Sequence, residues 1–216
     1  MATAGWRLGG QSPSFASLVC GGDGNDELFD NGPGAAVLMG EAGDDLLVAV
    51  GGGADTVRGG AGNDSFWVDS ADSIADAEAA ETPYNVHTVA QFYQPTADPV
   101  SRPSLEIRGQ DLTDPSAGVP YVDQSFRPLF LDGPEYNDAI QGGVGDCYFI
   151  ATLSSLAGSD PAIIKQAITD LGDGTYAVRF YRGGSAVFVR VDGRLCRPVD
   201  PRRWRSVVRD ALQPLG

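Results

Sequence analysis

Basic residues are scarce in this chain. Fifteen Lys and Arg stand against 29 Asp and Glu, a formal net charge of -14 over 216 residues. A chain so acidic repels nucleic acid and anionic membrane surfaces, and neither is expected as a partner. Long apolar runs are also missing. None approaches the roughly 18 residues that a membrane span needs. The N-terminal MATAGWRLGG lacks a basic segment followed by an apolar core, so an ordinary cleavable signal peptide is not expected. The three cysteines, Cys20, Cys147 and Cys196, are too few and too widely spaced for a disulfide framework or a zinc site. At least one is expected to be a free thiol. Histidine occurs once, as His87.

Glycine and aspartate are abundant, and their arrangement is periodic. GGDGNDELF (Gly21 to Phe29) and GGAGNDSFW (Gly59 to Trp67) are nearly the same segment. GEAGDDLLV (Gly40 to Val48) lies between them, and all three fit Gly-Gly-x-Gly-x-Asp-x-apolar-x except that Glu41 replaces the second Gly of the middle copy. Two degenerate copies fill the gaps, NGPGAAVLM from Asn31 and VGGGADTVR from Val50. The strong copies start at 21, 40 and 59, so they recur every 19 residues, two nonapeptides and one insertion. In a parallel β-roll each nonapeptide supplies one turn and one short strand. The strong turns then share one edge and the degenerate turns the other. A flexible Gly-rich linker would not keep an apolar residue (Leu28, Leu47, Phe66) two positions after each Asp.

Glycine permits the positive φ that tight turns need. Calcium is a hard cation that takes about 6–8 oxygen ligands. Backbone carbonyls, with Gly22, Gly24, Gly43, Gly60 and Gly62 as candidates, supply most of them, and Asp26, Asp45 and Asp64 supply charge. One ion would use Asp26 with Asp45 and a second Asp45 with Asp64. The other edge, with Ala36 in place of Asp and Val50 in place of Gly, is expected to bind poorly, having only Asp55. These residues resemble the RTX, or haemolysin-type, calcium-binding repeats over about Gly21 to Val68. The resemblance implies Ca2+ as the bound ion and an extracellular location.

A second signal lies in QGGVGDCYFIATLSSLA (Gln141 to Ala157). A Gly-rich loop leads to Cys147 at the start of an apolar helix, which reads as buried. A helix N-terminus favours the nucleophilic thiolate. The Gln141 amide, six residues upstream, can donate to a developing oxyanion. The Gln-Gly-x-x-Gly-Asp-Cys-aromatic string resembles the site of calpain-type, papain-like cysteine peptidases. FRPLFLDGPEYNDAI (Phe126 to Ile140) and the β-rich Leu171 to Leu195, with its hairpin signal at Gly183-Gly184, extend that resemblance. It implies that Cys147 is the nucleophile, Gln141 the oxyanion donor, and a protein or peptide the substrate. Cys20 and Cys196 read as buried core cysteines.

A cysteine peptidase also needs a His base and a group that orients it. In papain-like enzymes the His and Asn follow the Cys by about 130–150 residues, and fewer than that follow Cys147. His87 precedes it, in a stretch that reads as a solvated linker. The expectation is an incomplete catalytic half, inactive as given and possessing a missing second lobe as its natural partner. The organisation expected is multi-domain: an extension (1–20), a short parallel β-roll (21–68), a Pro-rich acidic linker (69–125), an α+β papain-like catalytic segment (126–196) and an Arg-rich tail (197–216). SADSIADAEAAE, opening the linker, has the composition of a short helix, and PAIIKQAITDL (Pro161 to Leu171) a helical period. Two functions fit. One is a calcium-dependent cysteine endopeptidase lacking its second lobe. The other is a non-enzymatic extracellular calcium-binding module with a vestigial peptidase half.

Overall fold

The computed structural model describes residues 5–8, 17–81, 84–93, 121–130, 133–138 and 147–196. The chain divides into two compact units, one built on the N-terminal repeats and the other on residues flanking and following Cys147.

The first unit is a parallel β-solenoid of about four turns. One sheet has the order β1 (Gly5–Leu8), β3 (Glu27–Asp30), β5 (Leu46–Ala49), β7 (Ser65–Val68), β9 (Val86–Thr88). The other runs β2 (Ser17–Asp23), β4 (Ala36–Ala42), β6 (Thr56–Ala61), β8 (Ser73–Ile74). Alternate strands go to opposite sheets, so each pair of nonapeptides makes one coil. The register repeats the sequence period: Leu28 pairs with Leu47 and Leu47 with Phe66, while Leu38 pairs with Val57 on the other sheet. A uniform 19-residue coil places like on like, and the inward positions form a continuous column. Val19, Leu28, Leu38, Leu47, Val57 and Phe66 pack there with Ala36, Ala49 and Val68. Burying each large side chain contributes about 1.5–3 kcal/mol before chain entropy is counted.

The two sheets extend beyond Gly21 to Val68. β1 and β2 pair onto the first coil, and β8 and β9 onto the last. The acidic stretch after Val68 forms the short strand β8 followed by bends and turns, and no helix. His87 lies on β9, 2% exposed, with its ring 4.3 Å from that of Trp67. It belongs to the roll, in contrast to the solvated linker position expected for it.

In the second unit, helix α1 (Cys147–Ser159) and the short α2 (Pro161–Lys165) precede an antiparallel sheet of β11 (Ile168–Asp170), β12 (Thr175–Arg182) and β13 (Ser185–Asp192). A separate pair joins β10 (Tyr121–Asp123) to β14 (Arg194–Cys196). The helix expected over Pro161 to Leu171 is cut short. Pro161 starts it and Asp160 caps it, accepting from the Ala162 N–H at 3.2 Å, but the β-branched Ile168 and Thr169 pair in β11. β12 and β13 meet at Gly183 and Gly184, with φ of 59° and 84°, the two successive left-handed residues that a tight hairpin turn requires. The core joins Leu129, Leu153, Ile164, Ile168, Tyr176 and Val178. Among the described residues no helix is long and apolar enough to cross a membrane.

Candidate functional site

The repeat geometry builds a ladder of carboxylates along one edge of the roll. Asp26, Asp45 and Asp64 close equivalent turns of successive coils and are 1–3% exposed. Each N–H in the column donates to the carboxylate one coil further on: Asp26 N to Asp45 Oδ1 at 2.8 Å, and Asp45 N to Asp64 Oδ1 at 2.9 Å. The ladder does not stop with the repeats. Asp64 N donates to Glu81 Oε1 at 2.9 Å, and Glu81 is itself 1% exposed.

One oxygen of Asp45 and one of Asp64 are thus engaged. The second oxygens of Asp45 and Asp64 are buried and accept no hydrogen bond. Burying a carboxylate oxygen without a partner is costly. Desolvation accordingly raises the Asp45 carboxyl above its ordinary value and the Asp64 carboxyl to about 6; backbone N–H bonds oppose the rise and neighbouring carboxylates add to it.

Backbone oxygens stand beside these carboxylates. A Cβ placed on Gly21 would meet Asp26 Oδ2 at 2.7 Å and the Gly40 carbonyl at 2.8 Å. One placed on Gly40 would meet Asp45 Oδ2 and the Gly59 carbonyl. Each step therefore offers a carboxylate oxygen and a carbonyl from the next coil, in a space that only glycine leaves open. Gly22, Gly24, Gly43, Gly60 and Gly62 all have positive φ, between 102° and 152°. The carbonyls of Gly24 and Gly43 face Gly43 and Gly62 of the following coils. Such a set of hard oxygens fits a calcium-sized cation. Among the described residues no three His, Cys, Asp or Glu side chains gather into a metal-binding group. The acidic groups are instead linked through backbone amides, with glycine carbonyls between them.

The opposite edge is more acidic than the repeats suggest. Asp55 Oδ1 accepts from Ala36 N at 2.7 Å, and Asp55 N donates to Asp72 Oδ1 at 2.9 Å, the same ladder pattern in shorter form. Asp30 and Asp69 are also buried there and repel Asp55. Burial first, and that repulsion after it, push the Asp55 carboxyl up to about 7. The expectation of Asp55 alone on this edge is therefore corrected. Asp30 is the residue inserted between two nonapeptides, and Asp69 and Asp72 follow the repeats, so the motif carries no signal for them.

In the second unit Cys147 is the first residue of α1. Its thiol is free and exposed. Ile150 and Leu153 are the buried residues of this helix, while Cys147, Tyr148, Ala151 and Thr152 are exposed. The helix buries one stripe, and the fully buried helix expected from its apolar composition is not what forms. Gln141, Gly142, Gly145 and Asp146 lie outside the described residues. Cys20, expected in the core, is free and exposed on β2.

A family model described as calpain family cysteine protease matches residues 111–207. The match takes in Cys147, both helices and strands β10 to β14, and leaves the repeats outside. No curated protein and no solved structure matches the chain. At family level the matched stretch supports a calpain-like cysteine peptidase.

Proposed function

We propose that the chain is a calcium-dependent cysteine-type endopeptidase of calpain-like kind, its papain-like catalytic half preceded by an RTX-type roll that calcium orders. The observation that carries the peptidase reading is Cys147, exposed and free at the start of α1, inside the stretch that resembles calpain family proteases. In this reading the Cys147 Sγ attacks a peptide carbonyl, Gln141 donates to the oxyanion, and a protein or peptide is the substrate. Calcium would be held by Asp26, Asp45 and Asp64 with glycine carbonyls, and its chemistry there is charge neutralisation. An extracellular setting suits such a site, since extracellular modules bind calcium at about 10⁻⁴–10⁻³ M.

One observation favours the second reading, a non-enzymatic calcium-binding module. The only His of the sequence, His87, is buried in the roll against Trp67. A base for Cys147 then has to come from residues other than this one.

Thiol labelling separates the two readings. Cys20 and Cys147 are both free and exposed, so a rate difference between them reports reactivity and not access. With a peptide-like epoxide and site-resolved mass spectrometry, the peptidase reading expects Cys147 to be modified at least about tenfold faster than Cys20, and Gln141→Ala to reduce that rate. Equal rates, indifferent to Gln141, would leave the vestigial-half reading standing.

A further inference from the structure

The carboxylate ladder runs one step beyond the recognisable repeats, and the residues there follow a hidden fourth turn. In the register of the second sheet, Thr56 pairs with Ser73 and Val57 with Ile74. Continuing that register sets Asp76 beside Gly59, in the place of the first glycine of a strong turn. Glu81 follows Asp76 at the same spacing that separates Asp64 from Gly59, Asp45 from Gly40 and Asp26 from Gly21. The structure agrees at both ends of this turn. Gly59 N donates to Asp76 Oδ1 at 3.0 Å, and Asp64 N donates to Glu81 Oε1 at 2.9 Å. The segment DAEAAE is therefore a turn of the roll with its glycine replaced by Asp and its aspartate by Glu, which is why no glycine pattern marks it.

The replacements alter what a cation would meet. At the inner steps the buried Asp oxygen faces a carbonyl of the next coil's first glycine, Gly40 or Gly59. At the last step the three atoms nearest a Cβ on Gly59 all belong to Asp64, with Oδ2 foremost. The carboxylate of Asp76, where the strong turns have a glycine, stands at that end bonded to Gly59 N. Asp64 is 1% exposed, its Oδ2 accepts no hydrogen bond, and the Asp76 carboxylate lies near enough to repel it. Glu81 has no oxygen left over: Oε1 takes Asp64 N, and Oε2 takes Glu78 N at 2.6 Å. It fixes the turn and ends the ladder.

We propose that Asp64 and Asp76 form a terminal divalent-cation site, distinct in its ligands from the inner steps, through which calcium locks the non-repeat segment Asp76 to Glu81 onto the roll. The inference rests on the calcium reading of the inner ladder given above. It adds a charged side chain at a position where the strong turns have glycine, and in oxygen sites the number of charged ligands tunes affinity.

The test is calcium titration of the full chain by calorimetry, with two variants. Asp76→Asn keeps an acceptor for Gly59 N and removes the charge. Asp76→Gly restores the glycine of the strong turns. Far-UV circular dichroism in saturating calcium establishes which variants fold, and the binding result is read on a folded one. The proposal expects either folded variant to lose one calcium per chain, or to weaken one class of site by at least about tenfold, with the remaining sites unchanged. A folded variant that binds the wild-type number of ions with wild-type affinity would overturn the terminal site while leaving the inner ladder intact. Wild-type protein that binds no calcium would overturn the ladder reading itself. Loss of all calcium binding in a variant still folded would overturn the terminal site, since it would then not be separate from the inner steps.

Discussion

Glu41 is the one non-glycine among the described residues with positive φ, at 81°. It occupies the position held by Gly22 and Gly60, both at 102°, in the flanking strong turns. A left-handed non-glycine residue costs on the order of 1–3 kcal/mol, against about 0.5–1 kcal/mol for the extra unfolded-chain entropy of glycine. Glu41→Gly is expected to stabilise the roll by about 1 kcal/mol, raising its melting temperature by about 4–8 °C. Gly60→Ala should do the reverse, because φ is unfavourable and the new Cβ would meet the backbone carbonyl of Glu41. Thermal melts of the two variants check the pair of signs. Glu41 was legible in the sequence as a departure from the repeat, and Asp26, Asp45 and Asp64 as its charged members. Asp76 and Glu81 were not legible, because their register is set by strand pairing and not by a glycine pattern. The same holds for Asp30, Asp69 and Asp72.

The strands owe their arrangement to the period. With 19 residues per coil, Leu28, Leu47 and Phe66 stack at 0% exposure, and the carboxylates stack with them. That stacking carries an electrostatic cost which pH can report. Burial, the largest cause, raises the carboxyls of Asp30, Asp45 and Asp72 above their ordinary value, that of Asp64 to about 6 and that of Asp55 to about 7. These groups hold protons more tightly folded than unfolded, so folding takes up protons between roughly pH 4 and pH 7. The stabilisation is present on the acid side and lost as pH rises through that window. In chelator, the roll should therefore melt at a lower temperature at pH 8 than at pH 5, and calcium should shrink the difference by replacing the protons. A chelated roll that melts at the same or a higher temperature at pH 8 would count against carboxylate repulsion as its weakness. The hairpin of β12 and β13 was readable from two β-rich runs around Gly183 and Gly184. The end of α2 was not, because Ile168 and Thr169 suit a helical period and a strand equally, and pairing with β12 decided between them.

At the scale of the whole chain, two kinds of chemistry occupy two compact units, and the sequence disclosed them unequally. The roll was legible because a repeat states its own geometry. The unit with Cys147 was legible through one loop-to-helix string, and the family match over residues 111–207 agrees with it. The placement of His87 was not legible because a strand added after the repeats, β9, has no repeat signature of its own, while its neighbour Trp67 supplies the packing. In the proposed function, calcium orders the roll through the buried ladder of Asp26, Asp45 and Asp64. Site-resolved amide hydrogen exchange with and without calcium tests it most directly, because it reads each strand in place. With calcium, amides of β3, β5 and β7 and the ladder amides of Asp26, Asp45 and Asp64 should exchange slowly, and chelation should make them fast, with β12 and β13 unchanged. Exchange in the roll that is the same in calcium and in chelator would contradict the claim.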